Sequence, residues 1–248
     1  AFASYRIFRE LREAGRIAAG TKFQVSLPTP LAFYSGLVVP ECQEAVAPAF
    51  EARVLGEARE IVGGIPHEDL AIQWDACLEI FIWEGLRGVF FDDPLHGSLD
   101  KLAEAIDIVA EPVDVGYHLC YGDFRHKHGI EPVDTAKMVT MANYVATRVR
   151  RPINWVHMPV PRDRDDDAYF APLSGLKLQP ETQLFLGLVH YTDGEKGSRR
   201  RMAAADRHFQ AYGIATECGL GRREPSTIHE LLRIHACCAS SETAGATG

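Results

Sequence analysis

The residues best suited to chemistry stand at the ends of apolar segments with strand character. His118 and Cys120 form a His-x-Cys pair at the end of residues 113–120 (VDVGYHLC), and Cys218 ends residues 214–218 (IATEC). Because residues i and i+2 of a strand point the same way, His118 and Cys120 can reach one ion. Histidine and cysteine suit Zn²⁺, and three protein ligands with an open fourth position are typical of catalytic zinc. The pattern predicts such a site; buried thiols beside a core histidine are the alternative.

Three further apolar segments also carry polar side chains at or near their ends. These residues are Asp75 after 70–74, His157 within 153–160, and His190 and Asp193 around the end of 184–191, with Glu217 beside Cys218. In a parallel α/β fold the carboxyl ends of the strands share one face, which is where barrel active sites lie. The clustering of polar residues at these ends therefore predicts one functional face.

Six strand-like segments, the first at residues 22–27 (KFQVSL), alternate with helical patterns, which favours a parallel sheet built from βα units. Helices are predicted over residues 5–19, 40–62, 98–110, 134–149, 196–212 and from 227 onward. Ser98 and Asp134 are expected as N-caps, and Thr227 with Glu230 as a capping box. No Gly-rich nucleotide-binding loop follows a strand. We predict a single α/β domain over residues 1–239 and a flexible tail over 240–248.

Composition excludes several classes of protein. The chain has 248 residues, 46% of them hydrophobic, which is enough for a substantial core. A net charge of −8 argues against nucleic acid and anionic membranes as partners. The chain has no run of about 18 apolar residues, so the sequence predicts no membrane span. Six unevenly spaced cysteines and the lack of a recognisable signal peptide indicate a reducing compartment, so we predict a cytoplasmic protein.

Four strings in the chain carry a family resemblance: KFQVSLPTP at 22–30, IQWDACLE at 72–79, GYHLCYGDF at 116–124 and TECGLGRR at 216–223. In the same order they resemble the third-strand turn, the I-Q-x-D-E-P strand and the two zinc-binding segments of cobalamin-independent methionine synthase. This family belongs to the uroporphyrinogen decarboxylase/methionine synthase-like barrels. The resemblance implies a TIM (β/α)8-type barrel in which the six strands correspond to the third to eighth. We expect another segment or chain, such as a second copy, to complete the barrel.

The resemblance also implies an activity. In this family zinc, held here by His118, Cys120 and Cys218, binds a thiol, activates it as a thiolate and transfers a methyl group to it. The expected partners are a small-molecule thiol and a methyl donor, either a methylated folate or a corrinoid protein. The residues expected to contact the substrate are Asp75, which matches a substrate-binding acid of the family, and Ser26, Glu217 and Asp193.

Departures from the family pattern leave other functions open. Where the family has a Glu ligand, His157 stands here as a fourth ligand or a general base. Ala76 and Cys77 replace Glu and Pro, and His190 replaces an acid that binds the substrate, which weakens a site for an α-ammonium group. One alternative is the same barrel acting on a non-amino-acid substrate, with acid/base catalysis by His157, His190 and Asp75. The other is a non-catalytic zinc protein with four ligands.

Three polar runs outside these strings have both a functional and a structural interpretation. The arginines at 199–201 either bind an anionic group or form a solvated helix face. The aspartates at 163 and 165–167 form either a lid or a solvated loop. His126 and His128 flank Lys127 and are expected to be exposed.

Overall fold

The computed structural model describes residues 1–123 and 127–240 and shows an α/β fold. Six parallel strands form one sheet whose spatial order follows the chain order. The predicted strands are confirmed with their ends shifted by at most two residues. They are β1 (Phe23–Pro28), β2 (Leu70–Ala76), β3 (Asp114–Leu119), β4 (Trp155–Pro159), β5 (Gln183–Val189) and β6 (Gly213–Thr216).

Helices connect the strands throughout the described residues. The helices are α1 (Phe2–Glu13), α2 (Pro30–Leu37), α3 (Pro40–Gly64), α4 (Leu78–Trp83), α5 (Pro94–Asp107), α6 (Ala136–Arg148), α7 (Asp167–Phe170), α8 (Gly194–Ala205) and α9 (Pro225–Ala239), with short 3₁₀ turns at Ala171–Gly175 and Leu220–Arg222. Helix α3 continues through Pro48, and α1 and α8 end six and seven residues before their predicted ends.

The predicted start of α5 at Ser98 is wrong, because other residues form the first turn. The helix begins at Pro94, and the Asp93 carboxylate accepts a hydrogen bond from the His96 amide at 3.1 Å. Proline at the first helical position has a suitable φ and loses no hydrogen bond there. Ser98 lies inside the helix, where its hydroxyl donates to the Leu95 carbonyl at 2.7 Å.

The last helix also begins before its predicted cap. α9 starts at Pro225, and the Thr227 hydroxyl donates to the Glu224 carbonyl at 2.7 Å. Glu230 pairs with Arg233 at 2.7 Å instead of reaching back to the start of the helix. The capping box predicted for Thr227 and Glu230 is therefore wrong.

Three short helices have no counterpart among the predicted elements: α7, in the segment after β4 that was predicted as a loop, and the helices α2 and α4. α2 comes directly after β1 and α4 directly after β2. Burial, more than local propensity, stabilises helices of this length. The apolar side chains of α2 and α4 join one buried cluster with α3, made of Leu31, Tyr34, Ala47 and Ile82 and bordered by Phe50, Phe90 and Phe91.

Two polar side chains fix the start of β3. The buried Arg151 guanidinium donates to three carbonyl oxygens between Val109 and Val113 at 2.6–3.0 Å. The Asn154 side chain accepts a hydrogen bond from the Val115 amide at 2.8 Å, and the Asn154 amide donates to the Val115 carbonyl at 2.7 Å. β3 therefore begins from a fixed position, which determines where its carboxyl end lies.

Gly187 allows three strands to approach closely at their carboxyl ends. It pairs with Pro159 of β4, and the register of β5 against β6 is irregular between Leu186 and Val189. A Cβ atom at Gly187 would lie 2.8 Å from the Cα atom of Glu217 and 3.1 Å from that of Pro159. A side chain at position 187 would push apart the ends of β4, β5 and β6 and would displace Glu217, which follows β6.

The chain divides into two compact units. One contains Ala1–His118, Tyr144–Asn154 and Gln179–Thr182, and the other contains Leu119–Asn143, Trp155–Leu178 and the chain from Gln183 onward. The single domain over residues 1–239 and the closure of a barrel stay predictions. Of the predicted tail, residues 241–248 lie outside the described residues. None of the described helices is both long and apolar enough to span a membrane.

Candidate metal centre

His118, Cys120 and Cys218 come together as a group of metal-ligand side chains. One ring nitrogen and the two sulfur atoms all lie within 4.8 Å of one another. β3 carries His118 and leads directly to Cys120, and Cys218 follows β6. A tetrahedral zinc ion with bonds of about 2.0–2.3 Å separates its ligand atoms by roughly 3.3–3.9 Å. Small side-chain rotations would therefore bring the three atoms to zinc-binding distances.

The chemistry of these donors fits zinc. A hydrogen bond with Cys120, together with burial, raises the pKa of the Cys218 thiol well above its usual range. The Cys218 thiol thus stays protonated when no cation is near it. A divalent cation reverses this preference, because metal ligation requires and stabilises thiolates.

The structure does not bring His157 into this group. His157 lies on β4, and its ring makes a hydrogen bond with the backbone of Thr216. Burial lowers the pKa of His157 to about 4, so the ring is neutral near pH 7. A neutral imidazole suits both a metal ligand and a base, and both roles stay predictions.

A carboxyl group between two imidazoles precedes Cys218 in the chain. One oxygen of Glu217 contacts Nε2 of His128, and the other lies 3.6 Å from Nδ1 of His190. His190 donates from Nε2 to the Val160 carbonyl at 2.8 Å. Burial raises the pKa of Glu217 to about 8 and lowers that of His190 to about 4. Near pH 7 a neutral carboxylic acid therefore lies beside a neutral imidazole, a pair able to donate and accept a proton.

The expected exposure of His128 is wrong, since its side chain is only 9% exposed. The Tyr121 carbonyl accepts hydrogen bonds from the amides of Gly129 and Ile130 at 2.8 and 3.2 Å, which returns the chain to the end of β3. The His128 ring packs against the Tyr121 ring at a centroid distance of 5.7 Å. In the sequence, the available signal was the position of His128 shortly after the His-x-Cys pair. His126 lies outside the described residues.

Glu217, His128 and His190 line a cavity of about 450 Å³. Its other walls come from residues 161–164 after β4, residues 191–192 after β5 and Arg223 after β6. Small-molecule sites have volumes of roughly 300–1,000 Å³ and few convergent polar groups. The cavity at these strand ends therefore has the size of a small-molecule site, and its wall is mainly polar and charged.

A solved structure has a fold similar to that of this chain. It is the crystal structure of a Listeria monocytogenes protein provisionally assigned as a vitamin-B12 independent methionine synthase. It matches 89% of this chain with a TM-score of 0.53 and 13% sequence identity. The chain has a methionine synthase-like fold. No protein-family model and no curated protein matches the sequence.

The similarity to the methionine synthase-like fold concerns the fold alone. The chain spans 63% of the length of the Listeria protein, at 13% identity. The fold family predicted from the four sequence strings is thereby confirmed. Zinc, the activation of a thiol and the transfer reaction stay predictions.

Two predicted substrate contacts, Ser26 and Asp75, lie on neighbouring strands of this fold. Ser26 of β1 stands opposite Gln73 of β2, and their side chains are 3.4 Å apart. Gln73 also donates to the Asp75 carboxylate at 2.9 Å. Asp75 lies inside β2 rather than after its end. Gln73 thus links the two residues, and their contact with a substrate stays a prediction.

Asp193, another predicted substrate contact, binds a buried arginine. Arg201 is 0% exposed, and its guanidinium holds both Asp193 oxygens at 2.6 and 2.9 Å. It also donates to the carbonyl oxygens of Leu188 at 2.8 Å and Arg162 at 2.6 Å. Arg201 therefore ties the end of β5 to the loop after β4. Arg201 therefore belongs neither to a solvated helix face nor to an exposed anion-binding site, the two interpretations of the arginine run.

The four aspartates after β4 are all paired with arginines. These ion pairs hold the loop against its surroundings and favour a structural role over a mobile lid. They are Arg162–Asp163, Arg200–Asp165, Arg164–Asp166 and Arg207–Asp167, each with an N–O distance of 2.7–3.0 Å. Asp166 additionally accepts a hydrogen bond from the Tyr169 amide at 3.0 Å at the start of α7.

Proposed function

We propose that the protein is a zinc-dependent, methyltransferase-like enzyme that activates a small-molecule thiol. One observation carries the proposal: the ligand atoms of His118, Cys120 and Cys218 lie within 4.8 Å of one another. Three protein ligands leave a fourth zinc position for a substrate, as in catalytic zinc sites. The methionine synthase-like fold supports this function, since the Listeria protein is provisionally assigned as such an enzyme.

The proposed reaction moves a methyl group from a donor to sulfur. Zinc bound to these residues supplies Lewis acidity that lowers the pKa of a thiol ligand toward neutrality. The new carbon–sulfur bond forms as the bond between the methyl group and the donor breaks, and the thiol proton leaves to the donor or to water. A methylated folate or a corrinoid protein is the proposed donor.

The other site residues have proposed roles around that reaction. His190 and Glu217 hold and transfer protons, because their polar atoms face each other at 3.6 Å on the cavity wall. His157 serves as a fourth ligand or as a base. The proposed contacts with substrate are those of Asp75, Ser26, Glu217 and Asp193.

A second candidate function uses the same fold without methyl transfer. The observation that favours it is the Glu217 carboxyl group between His128 and His190, an acid/base group that lines a cavity of about 450 Å³. Such a group can protonate or deprotonate a substrate that is not an amino acid. This candidate predicts turnover that tolerates loss of Cys120 but not loss of His190.

The test of the first function is thiol binding and methylation by the metal-loaded protein. With cobalt(II) in place of zinc, homocysteine or 2-mercaptoethanol should add sulfur-to-cobalt absorption, and Cys120→Ser should abolish it. With zinc and methyltetrahydrofolate or a methylcorrinoid protein, mass spectrometry should detect the methylated thiol. Metal uptake without any spectral response to thiols would indicate a closed, non-catalytic site and contradict the proposal.

A further inference from the structure

Cys120 and Cys218 lie close enough to react with each other as well as to hold a metal. Their sulfur atoms lie within 4.8 Å of one another, and the two thiols share a hydrogen bond. Cys120 directly follows β3 and Cys218 follows β6, and β4 and β5 lie between these two strands in the sheet. Both cysteines nevertheless belong to the same compact unit. The fold, rather than a local turn, therefore brings the two thiols together.

Hydrogen bonds hold the backbone on both sides of this contact. The Cys218 carbonyl accepts a hydrogen bond from the Thr216 hydroxyl at 2.6 Å. The carbonyl of Tyr121, the residue after Cys120, accepts hydrogen bonds from the amides of Gly129 and Ile130. A disulfide bond joins sulfur atoms about 2.05 Å apart. The two side chains therefore have to rotate toward each other while the backbone stays in place.

The two thiols differ in their access to solvent. Cys218 is half-buried, whereas Cys120 is buried. A small-molecule oxidant therefore reaches Cys218 first. Cys120 is then the resolving thiol, the second cysteine that reacts with the oxidised first one.

We propose that Cys120 and Cys218 form a reversible disulfide bond that closes the candidate metal centre. The oxidant is a small-molecule disulfide, such as oxidised glutathione. The Cys218 thiolate attacks one sulfur of the oxidant and releases one small thiol, and the Cys120 thiolate then attacks the Cys218 sulfur and releases the second. Two protein thiols and one oxidant disulfide thus give one protein disulfide and two small thiols, so that electrons and protons balance.

The disulfide bond removes two of the three metal ligands. Metal binding requires thiolates, and the oxidised pair has none, so that only His118 remains of the group. This consequence rests on the proposed function, in which His118 and the two thiolates hold zinc, whereas the disulfide bond itself requires no metal. In the reducing compartment that the sequence predicts, the thiols are the ordinary state and the disulfide is a transient, regulatory one.

The first experiment equilibrates the metal-free chain with mixtures of reduced and oxidised glutathione. Equilibration is allowed to run for hours, because the raised pKa of the Cys218 thiol slows exchange. Free thiols are then blocked with N-ethylmaleimide, and peptide mass spectrometry locates the links. With oxidised glutathione in about tenfold excess, most chains should carry an intramolecular Cys120–Cys218 link. No such link at any ratio, or only mixed disulfides with glutathione at these two residues, would overturn the proposal.

Serine variants test the pairing. Cys120→Ser and Cys218→Ser should each abolish the link and leave the other cysteine as a thiol or a mixed disulfide with glutathione. Cys237→Ser is the matched control, because Cys237 lies on α9, where the Arg233 guanidinium donates to its sulfur at 3.5 Å. This variant should form the link as the wild type does. If a serine variant fails to fold, the peptide map of the wild-type chain decides the proposal by itself.

Zinc uptake separates this inference from the proposed function. The reduced chain should bind zinc, and the cross-linked chain should bind it at least about tenfold more weakly until dithiothreitol restores the thiols. Measurable and equal zinc binding by the two forms would refute the closure of the metal centre. No zinc binding by the reduced chain would refute the proposed function, while the peptide map still decides the disulfide bond.

Discussion

A buried carboxyl group at the start of α4 makes the stability of the fold sensitive to pH. Glu79 is 0% exposed, and burial raises its pKa to about 7, although the Thr29 hydroxyl favours the charged form. Tyr34 of α2 is a further polar neighbour. Because the folded pKa lies above the ordinary value of 4.5, the folded chain binds this proton more tightly than the unfolded chain.

The contribution of Glu79 to the free energy of unfolding should therefore fall as the pH rises from 5 to 8, whereas His157 and His190, whose pKa values burial lowers, contribute in the opposite direction. The stability from the neutral carboxyl group is present below pH 4.5 and is lost as the pH passes through about 7. The expected loss is about 2–3 kcal/mol between pH 5 and 8. In urea unfolding the difference in stability between the wild type and Glu79→Gln should shrink by this amount from pH 5 to pH 8. A difference that does not change with pH would contradict the assignment.

Individual residues could be predicted where a strand's period of two decides their direction. His118 and Cys120 are two positions apart, so a strand brings both to one side, and Cys218 was recognisable as a second strand-end cysteine. His128 was not predictable, because its burial depends on backbone hydrogen bonds that fold the following loop back. The burial of Glu79 likewise depends on the tertiary packing of α4.

At the scale of elements, Gly187 should be sensitive to any side chain. The nearest atoms to an added Cβ are backbone atoms of Glu217, Thr216 and Pro159 at 2.8–3.1 Å, which a rotamer change cannot move. Gly187→Ala should lower the free energy of unfolding by about 1–3 kcal/mol. It should also weaken metal binding, because the displaced segment leads to Cys218.

Gly56→Ala is the control for that substitution. Gly56 lies inside α3, and an added Cβ there meets nothing within 4 Å. Alanine should leave the stability unchanged or raise it by up to about 1 kcal/mol, since glycine is the poorer helix former. Equal effects of the two substitutions in urea unfolding would show that the strand ends are not closely packed at Gly187.

The pair of Asp193 and Arg201 should matter more to stability than the surface pairs of the same region. Asp193→Asn removes the charge that balances a fully buried guanidinium and should cost about 3 kcal/mol. Asp163→Asn leaves Arg162 exposed to water and should cost less than about 1 kcal/mol. Thermal unfolding of the two variants measures the difference. Similar midpoints would contradict the role of Arg201 in joining the loops after β4 and β5.

The order and type of the elements followed from the sequence, whereas several of their ends did not. Alternating apolar segments and helical patterns predicted all six strands, because strand burial leaves a direct signal in residue type. The start of a helix depends on which of several nearby residues caps it: α5 begins at Pro94 with Asp93 as its N-cap, rather than after Ser98. The helices α2 and α4 were not predicted, because they are stabilised by burial against other elements and have no clear periodic pattern of apolar residues.

At the scale of the whole molecule, the parallel sheet explains why the candidate metal ligands, which come from different strands, lie together. Parallel strands in chain order bring their carboxyl ends to the same side of the sheet, and the candidate site residues lie at these ends or in the loops that follow them. The sequence strings predicted the methionine synthase-like fold family, and the Listeria structure confirms it at the level of the fold. Closure of a barrel stays a prediction, since it depends on pairing at the two edges of the six-stranded sheet.

The most direct test of the central claim is the zinc content of the purified chain. After loading with zinc and dialysis, elemental analysis should find about one zinc ion per chain, and chelation should lower the thermal unfolding midpoint. Cys120→Ser and Cys218→Ser should lose the metal, whereas Cys237→Ser on α9 should retain it. A wild-type chain that holds no zinc and unfolds at the same temperature with and without chelator would contradict the account.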